Sequence, residues 1–408
     1  MDAIPQPYLS LVGRNIVLGV SGSIAAYKAA DLASKLVQQG ATVDVILTES
    51  AMQFVGAATF AGITHRPVTT DLFGARSELA IDHVALALRA DAVVVAPATA
   101  NTIAKLALGL ADDALGATVL ATSAPLIVCP AMDAHMYENR ATQSNLDMLR
   151  GRGALVVEAA PGRLASGLTG RGRLEEPTRI VEYIRLVLGR KGDLAGRRVV
   201  VTAGGTQEPL DPVRHIANRS SGKMGYAVAA VARDRGANVT VVSGPVALTD
   251  LAGVETVKVQ TALEMRDAVV AKSVGADLLV MAAAVADFRP SEVALEKIKK
   301  GGRDTLSLEL TKNPVVITEV KGDRLVKVAF AAETGNAVQK AKAKSQYLDA
   351  AFIVVNDVSE AGSGFGTDTN RVTFLFPDGR EEVLPLLDKL TVAQRLLDRV
   401  VSALGRVR

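Results

Sequence analysis

The chain has 408 residues, 49% of them hydrophobic and 22% charged, which is enough apolar material for two or three domains with proper cores. Its 46 Lys and Arg against 43 Asp and Glu leave a net charge of +3, and 4% aromatic residues with no Trp offer no stacking platform, so neither a nucleic acid nor an anionic membrane is an expected partner. A single cysteine, Cys129, excludes an intrachain disulfide framework; with no basic-then-apolar leader in view, a reducing, cytoplasmic setting is expected.

Short β-branched apolar runs at 15–20, 43–47, 92–96, 126–129 and 155–157 alternate with Ala- and Leu-rich helical patterns. Further runs follow at 199–202, 239–242, 278–281, 326–330, 352–355 and 372–376. The longest apolar stretch, 278–286, falls far short of the roughly 20 residues that span a bilayer, so it reads as a strand and its exit. Continuous apolar strands separated by helices predict parallel sheets covered on both faces. The halves echo each other: Gly40-Ala-Thr-Val-Asp-Val-Ile resembles Gly236-Ala-Asn-Val-Thr-Val-Val, each glycine ending a first helix ahead of a second strand. The expected fold is α/β, with two doubly wound, mainly parallel-sheet domains of flavodoxin or Rossmann type over 1–190 and 191–408. A short, charged, Gly-rich joint at 189–196 links them. Ligands in such sheets bind beyond the carboxyl ends of the strands, near the switch in strand order.

The motifs fall there. In Gly19-Val-Ser-Gly-Ser-Ile-Ala-Ala-Tyr-Lys28, Gly22 permits a tight turn, and Ser23 with the helix start can hold a phosphate, although an ordinary strand–helix turn reads the same way. After Pro97, Thr99, Asn101 and Thr102 cluster at a helix start, either as a cap or as donors into the same crevice. His83 is a lone histidine, structural or a general base. Cys129 ends an apolar run and reads as a buried hydrophobe. Residues 162–174 carry glycines and no apolar periodicity, as a lid would. In the second half, the stretch from Thr202 to Gly225 holds two glycine-bearing turns around an insert containing Asn218, ahead of a helix near Met224. Asp287 ends Ala283-Ala-Val-Ala-Asp287, and Lys297-Ile-Lys-Lys300 is a Lys-rich run. Asn313 and Pro314, in Lys312-Asn-Pro-Val-Val316, form a ready cap and first position for a helix.

The segments 202–225, 283–287 and 297–300 resemble the ligase half of the bifunctional phosphopantothenoylcysteine decarboxylase/phosphopantothenate–cysteine ligase family of coenzyme A biosynthesis, over about 194–402. Residues 14–188 resemble the homo-oligomeric flavin-containing cysteine decarboxylases. The resemblance implies FMN held by Gly22, Ser23, Thr48, Thr99 and Asn101, and a catalytic role for His83. It also implies a substrate clamp at 130–136, where Asp133 stands in place of the family Asn, and a flap proton donor at Ser166, where many members have Cys. An amide donates to a carboxylate and an ionised Asp cannot; an alcohol is a far weaker acid than a thiol. For the second half it implies Asn218 on an acyl-cytidylate and Lys297 between carboxylate and triphosphate. CTP contacts are expected at Asp287, Lys297, Asn313, Pro314, Val315, Val316, Phe330 and Lys344, with Mg2+ near Asp287. A second family Lys is Leu348 here. Trimer and dimer contacts, combined in a dodecamer, are implied as well. The alternatives are an active ligase with an altered flavoprotein half, and a flavin-binding regulatory subunit.

Overall fold

The computed structural model describes residues 10–72, 82–300, 304–322, 324–360 and 362–405; the side chains of 82 and 344–347 also lie outside the described set. The described residues divide into two compact units that part between Leu188 and Gly189.

The first unit runs β1 (Asn15–Val20), α1 (Ala26–Gln38), β2 (Thr42–Leu47), α2 (Ala57–Thr64), β3 (Val68–Thr69), α3 (Asp82–Arg89) and β4 (Ala92–Ala98). It continues with α4 (Ala100–Leu108), α5 (Ala114–Ala121), β5 (Leu126–Pro130), α6 (Ala134–Glu138), α7 (Arg140–Gly151) and β6 (Leu155–Val156). Six strands pair in the order β3-β2-β1-β4-β5-β6, all parallel. Ile16, Leu18 and Val20 join Leu32, Leu36, Ile180 and Ile184 in one core, while Val17, Val93 and Val95 join Ile103, Leu115 and Leu146 in another. Strand side chains alternate between faces, and both faces are covered, which is why these runs are apolar at every position. Each Leu or Ile so buried contributes about 1.5–3 kcal/mol relative to exposure. Gly19 admits α5 close to β1: a Cβ there would lie 2.3 Å from Leu115 Cδ1. The lid-like segment is an antiparallel hairpin, β7 (Ala160–Arg163) with β8 (Thr169–Arg173), followed by α8 (Pro177–Gly189).

The second unit opens with β9 (Arg198–Ala203), a small pair β10 (Gln207–Pro209) and β11 (His215–Ala217), then α9 (Lys223–Asp234), β12 (Asn238–Ser243), β13 (Glu255–Lys258), α10 (Ala262–Ser273) and β14 (Leu278–Met281). A second pair, β15 (Phe288–Pro290) and β16 (Leu310–Lys312), precedes α11 (Val316–Glu319), β17 (Val326–Glu333), α12 (Ala337–Leu348) and β18 (Phe352–Asp357). The end comprises β19 (Thr369–Asn370), β20 (Thr373–Leu375), β21 (Glu381–Val383), β22 (Leu387–Asp388) and α13 (Lys389–Leu404). The main sheet runs β13-β12-β9-β14-β17-β18-β20-β21, parallel through β18 and antiparallel in its last two strands. Val199 and Val201 pack with α9 and α13, Val200 with α10 and α11.

Both sheets share one plan. Taking the main-sheet strands of each unit in chain order, the third lies beside the second, the second beside the first, and the first beside the fourth. Gly40 and Gly236, the glycines of the sequence echo, both take positive φ, 87° and 92°, just past the first helix of their unit. The order reverses between β1 and β4 and between β9 and β14, and each reversal opens a crevice. Among the described residues no helix is long and apolar enough to cross a membrane.

Candidate active sites

At the β1/β4 reversal the two strand ends are locked by Ser21, a residue not singled out from the sequence. Its Oγ donates to Pro97 O at 2.7 Å and accepts from Thr99 N at 3.0 Å. Thr99 caps α4, accepting from Thr102 N at 3.3 Å. Thr48, past β2, accepts from Ala51 N at 3.2 Å. Gly22 nests against the following turn: a Cβ there would lie 2.4 Å from Ser50 Cβ. Ser23 Oγ accepts from Ala25 N, and α1 begins without a side-chain cap.

Ser23 lines a cavity of about 490 Å³ together with Lys28, Met132, Asp133 and Ser166. The hairpin reaches this cavity because it is docked on the turn before α6. Met132 N donates to Gly172 O at 2.9 Å, and a Cβ on Gly172 would lie 2.2 Å from Met132 O. Asp133 caps α6, accepting from His135 N at 3.1 Å. Ser166 Oγ donates to Asp133 Oδ2 at 2.5 Å. The Ser166 hydroxyl, then the His135 N–H, holds the Asp133 carboxyl below the usual carboxylate range, so it is ionised at neutral pH. Thr48, Thr99, Asn101 and His83 do not line this cavity; Asn101 is exposed and His83, at the start of α3, is half-buried. Cys129 is buried, and burial pushes its thiol far up, which removes it as an acid.

At the β9/β14 reversal the loop after β14 is clamped from three sides. Thr206 Oγ1 accepts from Ala286 N at 2.9 Å, Asn218 Nδ2 donates to Ala284 O and Val285 O, both at 3.2 Å, and Asn313 Nδ2 donates to Ala286 O at 2.8 Å. Asn313 is therefore no helix cap, and Pro314 is no first helical residue: α11 starts at Val316 with Val315 at its cap position and no side-chain cap. The amide is needed to tie down the loop that carries Asp287. Asn218, Asp287, Asn313, Pro314, Val315, Val316 and Phe330 line one cavity of about 710 Å³, where Leu348 and Asn356 also contribute. Lys223 is engaged by Asp368 Oδ1 at 2.6 Å and Gly366 O at 2.9 Å.

Lys297 is exposed and does not line the cavity. Its segment is anchored by residues the sequence did not flag. Asp211 Oδ2 accepts from Ile298 N at 3.1 Å, and Arg214, paired to Asp211 at 2.6 Å, donates to Ile298 O at 2.5 Å. These bonds hold the Asp211 carboxyl far below its usual range despite its burial. The Lys344 side chain lies outside the described residues. Among the described residues, no three His, Cys, Asp or Glu side chains gather to hold a metal.

Residues 6–189 match the Flavoprotein family model, and residues 194–404 match that of the DNA/pantothenate metabolism flavoprotein C-terminal domain. The coenzyme A biosynthesis bifunctional protein CoaBC of Mycobacterium tuberculosis (strain ATCC 25618 / H37Rv) is 46% identical over 411 aligned residues, 97% of this chain and 98% of that protein. Its namesake in Bacillus subtilis (strain 168) is 44% identical over 96% of this chain and 98% of that one. A crystal structure of the C-terminal domain of a CoaBC protein shares 37% identity over 53% of this chain and 99% of its own, with a TM-score of 0.45. Matched along almost its whole length, with a flavoprotein half and a ligase half in that order, the chain belongs to the CoaBC family of bifunctional coenzyme A biosynthesis enzymes.

Proposed function

We propose that the second unit joins 4′-phosphopantothenate to cysteine at the expense of CTP through an acyl-cytidylate, and that the first unit, holding FMN, decarboxylates the product to 4′-phosphopantetheine. The observation that carries the ligase reading is the cavity at the β9/β14 reversal. It gathers Asn218, Asp287, Asn313 and Phe330 from four separate stretches of chain. Amide and backbone donors of this kind suit an acyl phosphate, whose carbonyl oxygen gains charge when the thiol attacks. Asn218, with its amide turned from Ala284 O and Val285 O toward the ligand, polarises that oxygen. Lys297 reaches in from its anchored segment to offset the repulsion between carboxylate and triphosphate. Lys344 contacts the nucleotide. Asp287 supplies one carboxylate oxygen, which fits an Mg2+ that stays mostly on phosphate oxygens.

In the first unit, the uncapped start of α1 with Ser23, and the glycine turn that a Cβ at Gly22 would fill, fit the phosphate of FMN. Thr48, Thr99 and Asn101 complete its holding group. A bound flavin supplies the two-electron oxidation that lets the substrate lose its carboxylate. The chain's own residues do the rest: His83 handles the proton as general base, Met132 and Asp133 orient the substrate, and the hairpin bearing Ser166 excludes water. The subunits associate through trimer contacts of the flavin half and dimer contacts of the ligase half.

The test is pyrophosphate release from CTP and phosphopantothenate. Lys297→Gln is expected to abolish it. Asn218→Asp is expected to permit it yet leave the acyl-cytidylate to accumulate when cysteine is added. Normal turnover of cysteine by both variants would refute the placement.

A further inference from the structure

Lys389 is the first residue of α13 and is 7% exposed, although it carries a flexible cation. An ammonium at a helix start opposes the helix dipole, and burying it is unfavourable unless hydrogen bonds replace its water. Here they do, and every acceptor belongs to one loop. Lys389 Nζ donates to Gly364 O at 3.3 Å, Thr369 O at 3.1 Å, Thr367 Oγ1 at 3.3 Å and Thr367 O. The loop needs such a tie. Gly364 and Gly366 have φ of 109° and 84°, a region that favours glycine, and the strand within it, β19, has two residues. Lys223, first residue of α9, grips the same loop through Gly366 O and Asp368.

The loop is also a wall of the ligase cavity. Gly364, Phe365 and Asn370 line it, and so do both lysines. Asn370 is itself set by the loop, its Oδ1 accepting from Ser363 Oγ at 2.7 Å and Gly364 N at 3.3 Å. A carbonyl bonded to an ammonium no longer offers an unpaired negative dipole to an anion.

We propose that Lys389 is a positioning residue of the ligase: its buried ammonium, working with Lys223, ties loop 363–370 into the shape that closes the cavity over anionic substrates. This rests on the reading of that cavity given above. Burial, and after it the Lys223 cation, pushes the Lys389 amine down to about 8, opposed by the Asp368 carboxylate. Asp388, the other carboxylate nearby in the chain, is committed to capping α13 through Thr391 N. The amine is thus charged at neutral pH and loses its proton as pH rises through about 8. An unfolded lysine holds its proton to about 10.4, so between these values the unfolded chain binds more protons and folding stability rises with pH. A ligase that weakens in that window is losing its loop, and this group's titration does not unfold it.

The experiment measures CTP–pyrophosphate exchange in the presence of 4′-phosphopantothenate and added pyrophosphate, which turns over acyl-cytidylate formation reversibly without cysteine, so that the thiol's own titration does not enter. Lys389→Met is expected to raise KM on the order of 10- to 100-fold, as small misplacements in a site do. Lys389→Arg should recover most of the loss, and carbon dioxide release from phosphopantothenoylcysteine by the same preparations should stay at the wild-type level. In wild type, KM should climb from about pH 7 to about pH 9.5, and Lys389→Arg should flatten that climb because its charge persists. Unchanged KM in folded Lys389→Met overturns the proposal. If that variant yields no folded ligase, the wild-type profile decides: a climb supports the proposal and a flat line overturns it. A wild type that exchanges no pyrophosphate with CTP instead refutes the reading of the cavity, and the proposal falls with it.

Discussion

Asp133 and Ser166 are the two positions at which the first half departs from the decarboxylase pattern, and they are hydrogen-bonded to each other. The departures make sense as a pair. A thiol is a weak donor, and an amide beside it can donate to substrate; a hydroxyl is a strong donor, and a carboxylate beside it accepts. The pairing has a chemical consequence. Ser166 points its proton at an ionised carboxylate, which would leave it a poor acid for the proposed closing protonation, and Asp133 would repel a substrate carboxylate placed against it. Ser166→Cys is expected to speed that step by up to about 100-fold, the lower range of general acid catalysis. Asp133→Asn should lower KM for phosphopantothenoylcysteine, and the double variant should exceed the product of the single effects, since the two side chains touch. Mass spectrometry of the products is the check: wild type should release some oxidised enethiol beside phosphopantetheine. Clean phosphopantetheine at an unchanged rate in wild type and Ser166→Cys would show that water or another group is the acid.

Between elements, what decides the sites is how closely turns approach one another. Gly22 has room for no side chain, since Cβ would meet Ser50 Cβ at 2.4 Å and Ser50 C at 2.9 Å. Gly22→Ala should therefore push the β1–α1 turn away from the turn after β2, at a cost of about 1–3 kcal/mol to the first unit. The purified variant is expected to lose its flavin absorbance while pyrophosphate release persists; a variant retaining full flavin would show that the turn does not hold the cofactor. The strands that carry these turns were legible because both faces of each sheet are covered, which writes them as apolar runs such as Ile16 to Val20 of β1 and Leu278–Met281. The hairpin of β7 and β8 was not, because Pro161, Gly162 and Arg163 pair with Arg171, Gly170 and Thr169 respectively, without alternating apolar residues. Asn313 was misread for a related reason. Asn before Pro signals a helix start locally, but its partner is Ala286, 27 residues upstream, and that contact won. Ser21 and Lys389 escaped notice likewise, since each finds its decisive partners far along the chain, and Asp211 did because the segment it anchors, at Ile298, lies 87 residues away although its Arg214 partner is local. Of the three, Ser21 left a sequence signal, its place within the Gly19–Gly22 turn.

At the scale of the whole molecule, each unit has its own sheet, its own strand-order reversal and its own cavity. Among the described residues, neither cavity is lined by residues of the other unit, so the two proposed chemistries should be separable by single substitutions. His83→Asn is expected to stop carbon dioxide release while leaving bound flavin and pyrophosphate release intact, and Lys297→Gln to do the reverse. An equimolar mixture of the two variants should then restore conversion of phosphopantothenate to phosphopantetheine, because the ligase product reaches a competent decarboxylase on another chain. Assembly bears on the same experiment. The proposed threefold and twofold contacts close as a dodecamer when their axes meet in tetrahedral symmetry, and light scattering should then report a mass near twelve times 42.6 kDa for each variant alone. Loss of both activities in His83→Asn with that mass retained would mark the histidine as structural. A monomeric wild type would instead count against the threefold and twofold contacts of the proposed assembly.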